Sequence, residues 1–404
     1  MKIKLLFLIL FLVQFAGAQN INFPDANFKN ALLAATIDYN DINSPIFIVY
    51  PSIDSDSDGE ISQAEALLVN GLNLGYAQLD NLSGLEFFTN LKRLESLYFN
   101  ATTFDFPTLT NLEELYLGNA VTGLGSITNF NLSSNVNLKK VTCNVNVPSI
   151  NLNNLVHLKN LSLVGTFTQI DLSDATNLLE LNLKAPITEL NLNNNNKLMT
   201  LGVSNCSIQN LDLSNCPNLE TVSANDNQLA TINFGTIKHI RVLDLQNNLL
   251  TAINANNFFN LYIFNCNNNL LNQLSIKNGV IESNGSIQFS GNPFLQSICC
   301  DENEIVYIQN LCNMYGYTPT ISACGSSQGK ENSISMFPNP VKDMLHLDTT
   351  DKINKVEVYG ANGLLIMTSE TVIDVIDMQS FQSGIYFLKV YRENFVDNMK
   401  FVKG

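Results

Sequence analysis

The stretch DSDSDGEISQAE, residues 54–65, sets four carboxylates and a glycine at the spacing D-x-[DN]-x-[DN]-G-x5-E. Calcium takes about six to eight oxygen ligands, and this spacing draws them from one short loop. Asp54, Asp56 and Asp58 give the first three carboxylates, Glu60 a backbone carbonyl, Ser62 a ligand directly or through water, and Glu65 a bidentate carboxylate. Gly59 permits the sharp turn and Ile61 supplies an apolar anchor. Carboxylates this close repel one another unless a cation sits among them. One structural calcium ion is therefore the expected cofactor, with a solvated acidic turn as the alternative. The loop is single, and IFIVYPS separates it from the preceding helical stretch. A clip that stiffens its surroundings is expected, not a sensor that opens.

No catalytic set accompanies the loop. The three histidines, His157, His239 and His346, are far apart in sequence, and there is no G-x-S-x-G, H-E-x-x-H or G-x-x-x-x-G-K. No C-x-x-C pair points to zinc. The net charge of −15 argues against nucleic acid, which is held by clustered Lys and Arg. The expectation is a protein that is not an enzyme and does not bind nucleic acid.

The amino end has a basic Lys2/Lys4 region, the apolar run LLFLILFLVQFAGA and small residues at Ala16-Gly17-Ala18. These are the parts of a secretory signal peptide, expected over residues 1–18, and they imply a compartment that permits disulfides.

What must hold the loop is a repeat. L-x-x-L-x-L recurs at LESLYF, LEELYL, LKKVTC, LKNLSL, LLELNL, LMTLGV, LETVSA, IRVLDL and LYIFNC, starting at Leu94 and ending with the unit at Leu261. The intervals between starts are 18, 26, 20, 20, 20, 21, 21 and 21 residues. Each unit gives a short strand with alternate residues inward, which is buried only when neighbours stack on it. These motifs resemble the leucine-rich repeat family in a short bacterial variant, over residues 78–298. The resemblance implies a turn-capping Asn or Cys three residues after the last strand Leu. Asn146, Cys206, Asn227, Asn248 and Asn269 fit it, whereas Thr102, Ala120, Thr166 and Pro186 do not.

The open ends of such a coil need caps. Residues 19–77 are the expected N-terminal helical cap carrying the EF-hand-like loop, with helical spacing in FPDANFKNALLAA and a second short helix in SQAEALLVNGL. Residues 299–324 are the expected C-terminal cap. A helix over 302–314 is about 20 Å long, too long for Cys312 to reach Cys299 or Cys300. Cys324 lies beyond the turn and can fold back, so a Cys299–Cys324 disulfide is expected, with Cys300–Cys324 as its nearest rival.

A polar linker, residues 325–333, precedes alternating strand patterns in residues 334–404. MFPNPVKDMLHL, VEVYGANGLLI, IDMQSFQSGIYFLKV and KFVKG resemble the C-terminal sorting domain of type IX secretion cargo. That resemblance implies recognition by the outer-membrane translocon, and a protein secreted or held at the outer-membrane surface after signal-peptide and sorting-domain processing. The fold class expected is thus α/β: a leucine-rich repeat solenoid with short parallel strands and helical caps, then a small β-sandwich.

The residues between inward positions line a polar concave face, on which Tyr98 and Tyr116 are expected in one column on adjacent repeats as ligand anchors. The expected function is that of a secreted or cell-surface binding and adhesion protein recognising an extracellular protein or glycan. A structural component of a surface layer or matrix is the alternative.

Overall fold

The computed structural model describes residues 19–35, 52–118, 127–144, 147–279, 286–323, 335–348, 352–361, 363–370, 374–392 and 396–404. The expected signal peptide, Asn146 and Cys324 lie outside them. The chain divides into two compact units, Met1–Cys324 and Gly325–Gly404.

The first unit is a solenoid built on an 11-stranded parallel sheet whose strands follow chain order from Gly71–Asn73 to Ile287–Gln288. Successive strands pair at offsets set by the repeat. Leu115, Val141, Leu161, Leu181, Leu201, Val222, Leu243 and Phe264 stack in one buried column. Each such side chain contributes about 1.5–3 kcal/mol through burial, provided a neighbour covers it.

The turns after the strands carry a second ladder. The Asn248 amide donates to the carbonyls of Ala224 (2.9 Å) and Leu245 (3.0 Å), and its oxygen accepts the Leu229 N–H at 3.0 Å. Asn227, Asn269 and Asn292 do the same in their own turns. Cys206 takes this place one turn earlier, its thiol directed at the Leu183 carbonyl at 3.6 Å. Asn292 was not expected: its turn follows a longer insertion, which hides it from a search at a fixed period.

The first repeat is displaced from its expected register. Leu94 pairs with Leu115 and Glu95 with Tyr116, on the strand Arg93–Ser96. The unit is therefore Leu91-x-x-Leu94-x-Ser96, three residues earlier than the LESLYF match. Ser96 is the cause. It occupies the third apolar position, where the next repeats have Leu117 and Cys143, and its buried hydroxyl finds no hydrogen-bond partner among the described residues.

The N-terminal cap contains the helix Ala26–Ala34, capped by Asp25. One carboxylate oxygen of Asp25 accepts the N–H groups of Asn27 and Phe28, and the other those of Asp80 and Asn81. The cap is thereby tied to the first repeat. The second helix is shorter than expected, Gln63–Ala66, because the chain turns into a strand at Gly71. At the other end the helix Ile305–Tyr315 follows a 3-10 turn, Glu302–Glu304. Cys299 is disulfide-bonded; Cys324, its expected partner, lies outside the described residues. Cys312 keeps its thiol, which burial pushes up to about 11.

The second unit is an antiparallel sandwich. One sheet comprises Ser335–Phe337, Met344–Asp348 and Val375–Asp377; the other Leu365–Ser369, Ile353–Gly360, Gly384–Arg392 and Val396–Lys403. Leu345, Val356, Val358, Leu388, Val390 and Phe401 form its core.

Candidate ligand face and candidate metal loop

The strand register defines the solvent face of the long sheet. Its middle column reads Asn73, Glu95, Tyr116, Thr142, Ser162, Asn182, Gly202, Ser223, Asp244, Asn265 and Gln288. Tyr98 is not in it. The column neighbour of Tyr116 is Glu95, and Tyr98 lies past the strand end at Ser96, so the expected pair of tyrosines on one column does not form.

What surrounds Tyr116 is a charged cluster that the displaced register had hidden. The Arg93 guanidinium lies 4.7 Å from the centre of the Tyr116 ring, and the Lys140 ammonium 5.2 Å from it. Arg93 donates to Glu114 at 2.8 Å and to Glu95 at 3.0 Å, while the Tyr116 hydroxyl donates to Glu114 at 3.2 Å. Three consecutive strands thus bring two cations, two carboxylates and an aromatic ring to one spot.

At the far end of the same face the middle column stays polar, but the column beside it turns apolar. Val242 pairs with Ile263, which is exposed together with its neighbour Tyr262 and with Phe259. On another side of the solenoid the short strands Thr231–Asn233 and Ala252–Asn254 belong to different sheets. A groove of about 830 Å³ lies there, lined by neutral side chains that include Phe234, Asn254, Phe258, Gln273 and Ser275.

In the acidic loop Asp54, Asp56 and Asp58 converge, each offering an oxygen within 4.8 Å of the others. The shape is fixed by the backbone: Asp54 accepts the N–H groups of Asp58 (3.1 Å) and Gly59 (2.9 Å), with φ of 82° at Gly59. Desolvation, then the charges of Asp58 and Glu65, push the Asp56 carboxyl above its usual range, although the Asp58 N–H acts against them.

Glu65 is not in that cluster. Its Oε1 accepts from the N–H and hydroxyl of Ser55 (2.7 and 2.8 Å), and its Oε2 from the N–H and hydroxyl of Ser62 (2.9 and 3.0 Å). Desolvation raises its pKa, but these four bonds outweigh it and hold the carboxyl below its usual range. Ser62 is the N-cap of the helix Gln63–Ala66, so Ser62 and Glu65, the expected ligand pair, form a capping box. The signal for this was present, since S-x-x-E is nested inside the calcium template. The Glu60 side chain pairs with Lys29 of the first helix, which leaves its carbonyl as the group that matches the template.

The loop also has a partner strand. The Ile21 N–H donates to the Ile61 carbonyl at 2.8 Å, the Gln63 N–H to the Gln19 carbonyl at 3.0 Å, and Asn20 bridges antiparallel to Ser62.

Residues 335–403 match the secretion system C-terminal sorting domain family. This segment is a type IX sorting domain, and the chain is a protein exported to the cell surface or released. No curated protein matches the chain. Among solved structures, an internalin (InlF) from Listeria monocytogenes is similar, with a TM-score of 0.52 at 22% identity over 74% of this chain and 88% of that one. The functional domain of InlJ from Listeria monocytogenes gives a TM-score of 0.48 at 16% identity, over 96% of this chain and 99% of that one. The first of these shows the fold of the amino-terminal unit, a leucine-rich repeat solenoid. Among the described residues, no helix is long and apolar enough to cross a membrane.

Proposed function

We propose that the exported solenoid acts by binding and not by catalysis, taking an extracellular protein or glycan on the solvent face of its long sheet with Tyr116 as an anchor. The observation that supports this reading is the cluster around Tyr116, where a ring lies within reach of both Arg93 and Lys140. An aromatic with a hydroxyl tip beside cations and carboxylates offers apolar area together with directed polar contacts, the combination enriched at recognition hot spots. A chain held at the cell surface by its sorting route would then serve in adhesion. Arrays of extracellular proteins and of glycans, probed with the full-length chain, test this. Tyr116→Ala is expected to weaken the strongest interaction about tenfold, roughly 1.4 kcal/mol, at an unchanged melting temperature. Full affinity in that variant removes Tyr116 from the site.

Calcium belongs to the same reading as a clip on the N-terminal cap. The carboxylates of Asp54, Asp56 and Asp58 and the Glu60 carbonyl are the ligands, water completes the shell, and Glu65 shapes the loop through Ser55 and Ser62. The convergence of the three aspartates supports it. Extracellular calcium near millimolar fills even a site with Kd of about 10⁻⁴ M. At tenfold excess over Kd the ion stabilises the folded state by roughly 1.4 kcal/mol. Chelation is expected to speed amide exchange in residues 20–100 more than in residues 200–300, and Asp54→Ala to abolish that difference. Calorimetry without a binding heat at millimolar calcium returns the loop to an acidic turn.

A further inference from the structure

The two outer faces of the sorting sandwich differ. On the four-stranded sheet, alternation sends Tyr386, Leu388 and Val390 into the core and leaves Ile385, Phe387, Lys389 and Tyr391 outside. The register then builds the outer face strand by strand: Tyr359 pairs with Leu365 and with Phe387, Phe387 with Lys400, and Ile385 with Val402. Leu365, Ile366, Ile385, Phe387 and Val402 are between 36% and 52% exposed, which is unusual for five large apolar side chains on one sheet.

The other end of this face is polar and internally satisfied. Glu357 accepts from the hydroxyls of Tyr359 (2.7 Å) and Tyr391 (2.8 Å) and pairs with Lys355 at 2.8 Å. Lys389 stands opposite Glu357 in the register with its ammonium 5.3 Å from the Tyr391 ring, and Lys400 stands opposite Phe387; neither lysine has an ion-pair partner among the described residues, and both flank the apolar strip. On the three-stranded sheet, by contrast, the outward positions mix Met344 and Val375 with His346 and Asp377.

The geometry points to this apolar strip, Leu365–Tyr359–Phe387–Ile385–Val402, as the surface by which the export machinery grips the sorting domain. The occupant is a protein surface of that machinery, apolar at its centre with carboxylates at the margin facing Lys389 and Lys400. Two observations carry the choice. A sorting domain has to be read by another protein during export, and these residues lie inside the 335–403 match. A strip flanked by two lysines that form no ion pair among the described residues fits an acidic rim, since charges across an interface are arranged to complement one another. The buried face, including Tyr386 stacked on Phe401 with ring centres 5.5 Å apart, is needed for the core and is closed to a partner.

The test uses the full-length chain in a bacterium that has this secretion system, with the protein outside the cell measured against that in the periplasm. Ile385→Thr with Phe387→Thr preserves strand propensity and removes the apolar surface. It is expected to lower export at least tenfold, with folded protein accumulating in the periplasm, as read by protease resistance. Lys389→Glu with Lys400→Glu, which leaves the apolar strip intact, is expected to lower it severalfold. Met344→Thr with Val375→Thr, on the opposite outer face, is expected to export normally. Normal export of both the threonine double variant of the strip and the charge-reversed double variant overturns the proposal. So does loss of self-association in the threonine double variant of the strip with export intact, which assigns the strip to a second copy of the chain. Deletion of residues 334–404 separates the two levels: if that deletion still exports, the sorting reading itself fails, whereas a blocked deletion beside normally exported double variants rejects only the strip.

Discussion

In the solenoid each strand pairs with the strand one turn away, as Leu181 with Leu201 and Leu201 with Val222. In the sorting domain the strand Gly384–Arg392 pairs with Ile353–Gly360 on one side and Val396–Lys403 on the other, joining three separate stretches in one core. The solenoid is wired to its nearest neighbours and the sandwich to all of itself. The difference teaches where damage travels: loss of one contact opens a few turns of a repeat array, whereas in a small sandwich it is shared by the whole unit.

The sharpest way to break this contrast is a matched pair of core truncations. Leu201→Ala and Leu388→Ala each remove a buried side chain, at a cost of about 2–5 kcal/mol. Amide exchange is expected to rise throughout residues 335–403 for Leu388→Ala. For Leu201→Ala it is expected to rise chiefly in the turns on either side. A uniform rise along the solenoid would mean that the repeats unfold as one block.

A smaller effect concerns the turn ladder. Asn248→Ala leaves the Leu229 N–H without its side-chain partner and takes one of two amide donors from each of the Ala224 and Leu245 carbonyls, which keep Asn227 and Asn269; the orphaned N–H costs about 1–3 kcal/mol. Denaturant unfolding of the full chain measures it. Ser96→Ala works in the opposite direction. Removing a buried hydroxyl without a partner is expected to stabilise the first repeats by about 1 kcal/mol, seen as a later onset of exchange near residues 70–118.

The smallest effect is a pH dependence of the sandwich. Hydrogen bonds from Lys355, then Tyr359 and Tyr391, bring the Glu357 carboxyl down to about 2, well below the roughly 4.3 of a free glutamate. A depressed carboxylate pKa stabilises the fold above its unfolded value, and that contribution is lost as pH falls from there through the folded value. Exchange in residues 353–392 is therefore expected to quicken between about pH 4.3 and 2, and Glu357→Gln to flatten that part of the profile. An unaltered profile in Glu357→Gln assigns the acid sensitivity to other carboxylates.

Most of the solenoid was legible because its information is periodic: any repeat with three apolar positions announces its own strand. The repeat with Ser96 was misread because one polar residue at the third position shifted the best match by three. With that shift Arg93 and Glu95 fell outside the strand, and the cluster around Tyr116 went unseen. The acidic loop shows a different limit. Its carboxylates were legible as a spacing, but Glu65 serves two overlapping motifs, and only the structure shows the capping box holding it. The pairing of Ile21 with Ile61 joins segments with no shared pattern, so nothing in the sequence marked it. In the sorting domain the alternation gave the strands, whereas the apolar outer strip follows from which strands are neighbours.

In the sorting sandwich the segment after the Pro338-Asn339-Pro340 turn is stitched to the last strand. The Val341 N–H donates to the Val402 carbonyl, the Gly404 N–H to the Val341 carbonyl, and the Val402 N–H to the Asn339 side chain. Residues 396–404 are thus a wall of the sandwich, held from both the Asn339 turn and Val341. The solenoid can wind turn by turn, but the sorting sandwich closes only when its final strand is in place. A chain cut short before residue 396 lacks that strand, so the two ends of the sorting segment complete one sheet together or not at all.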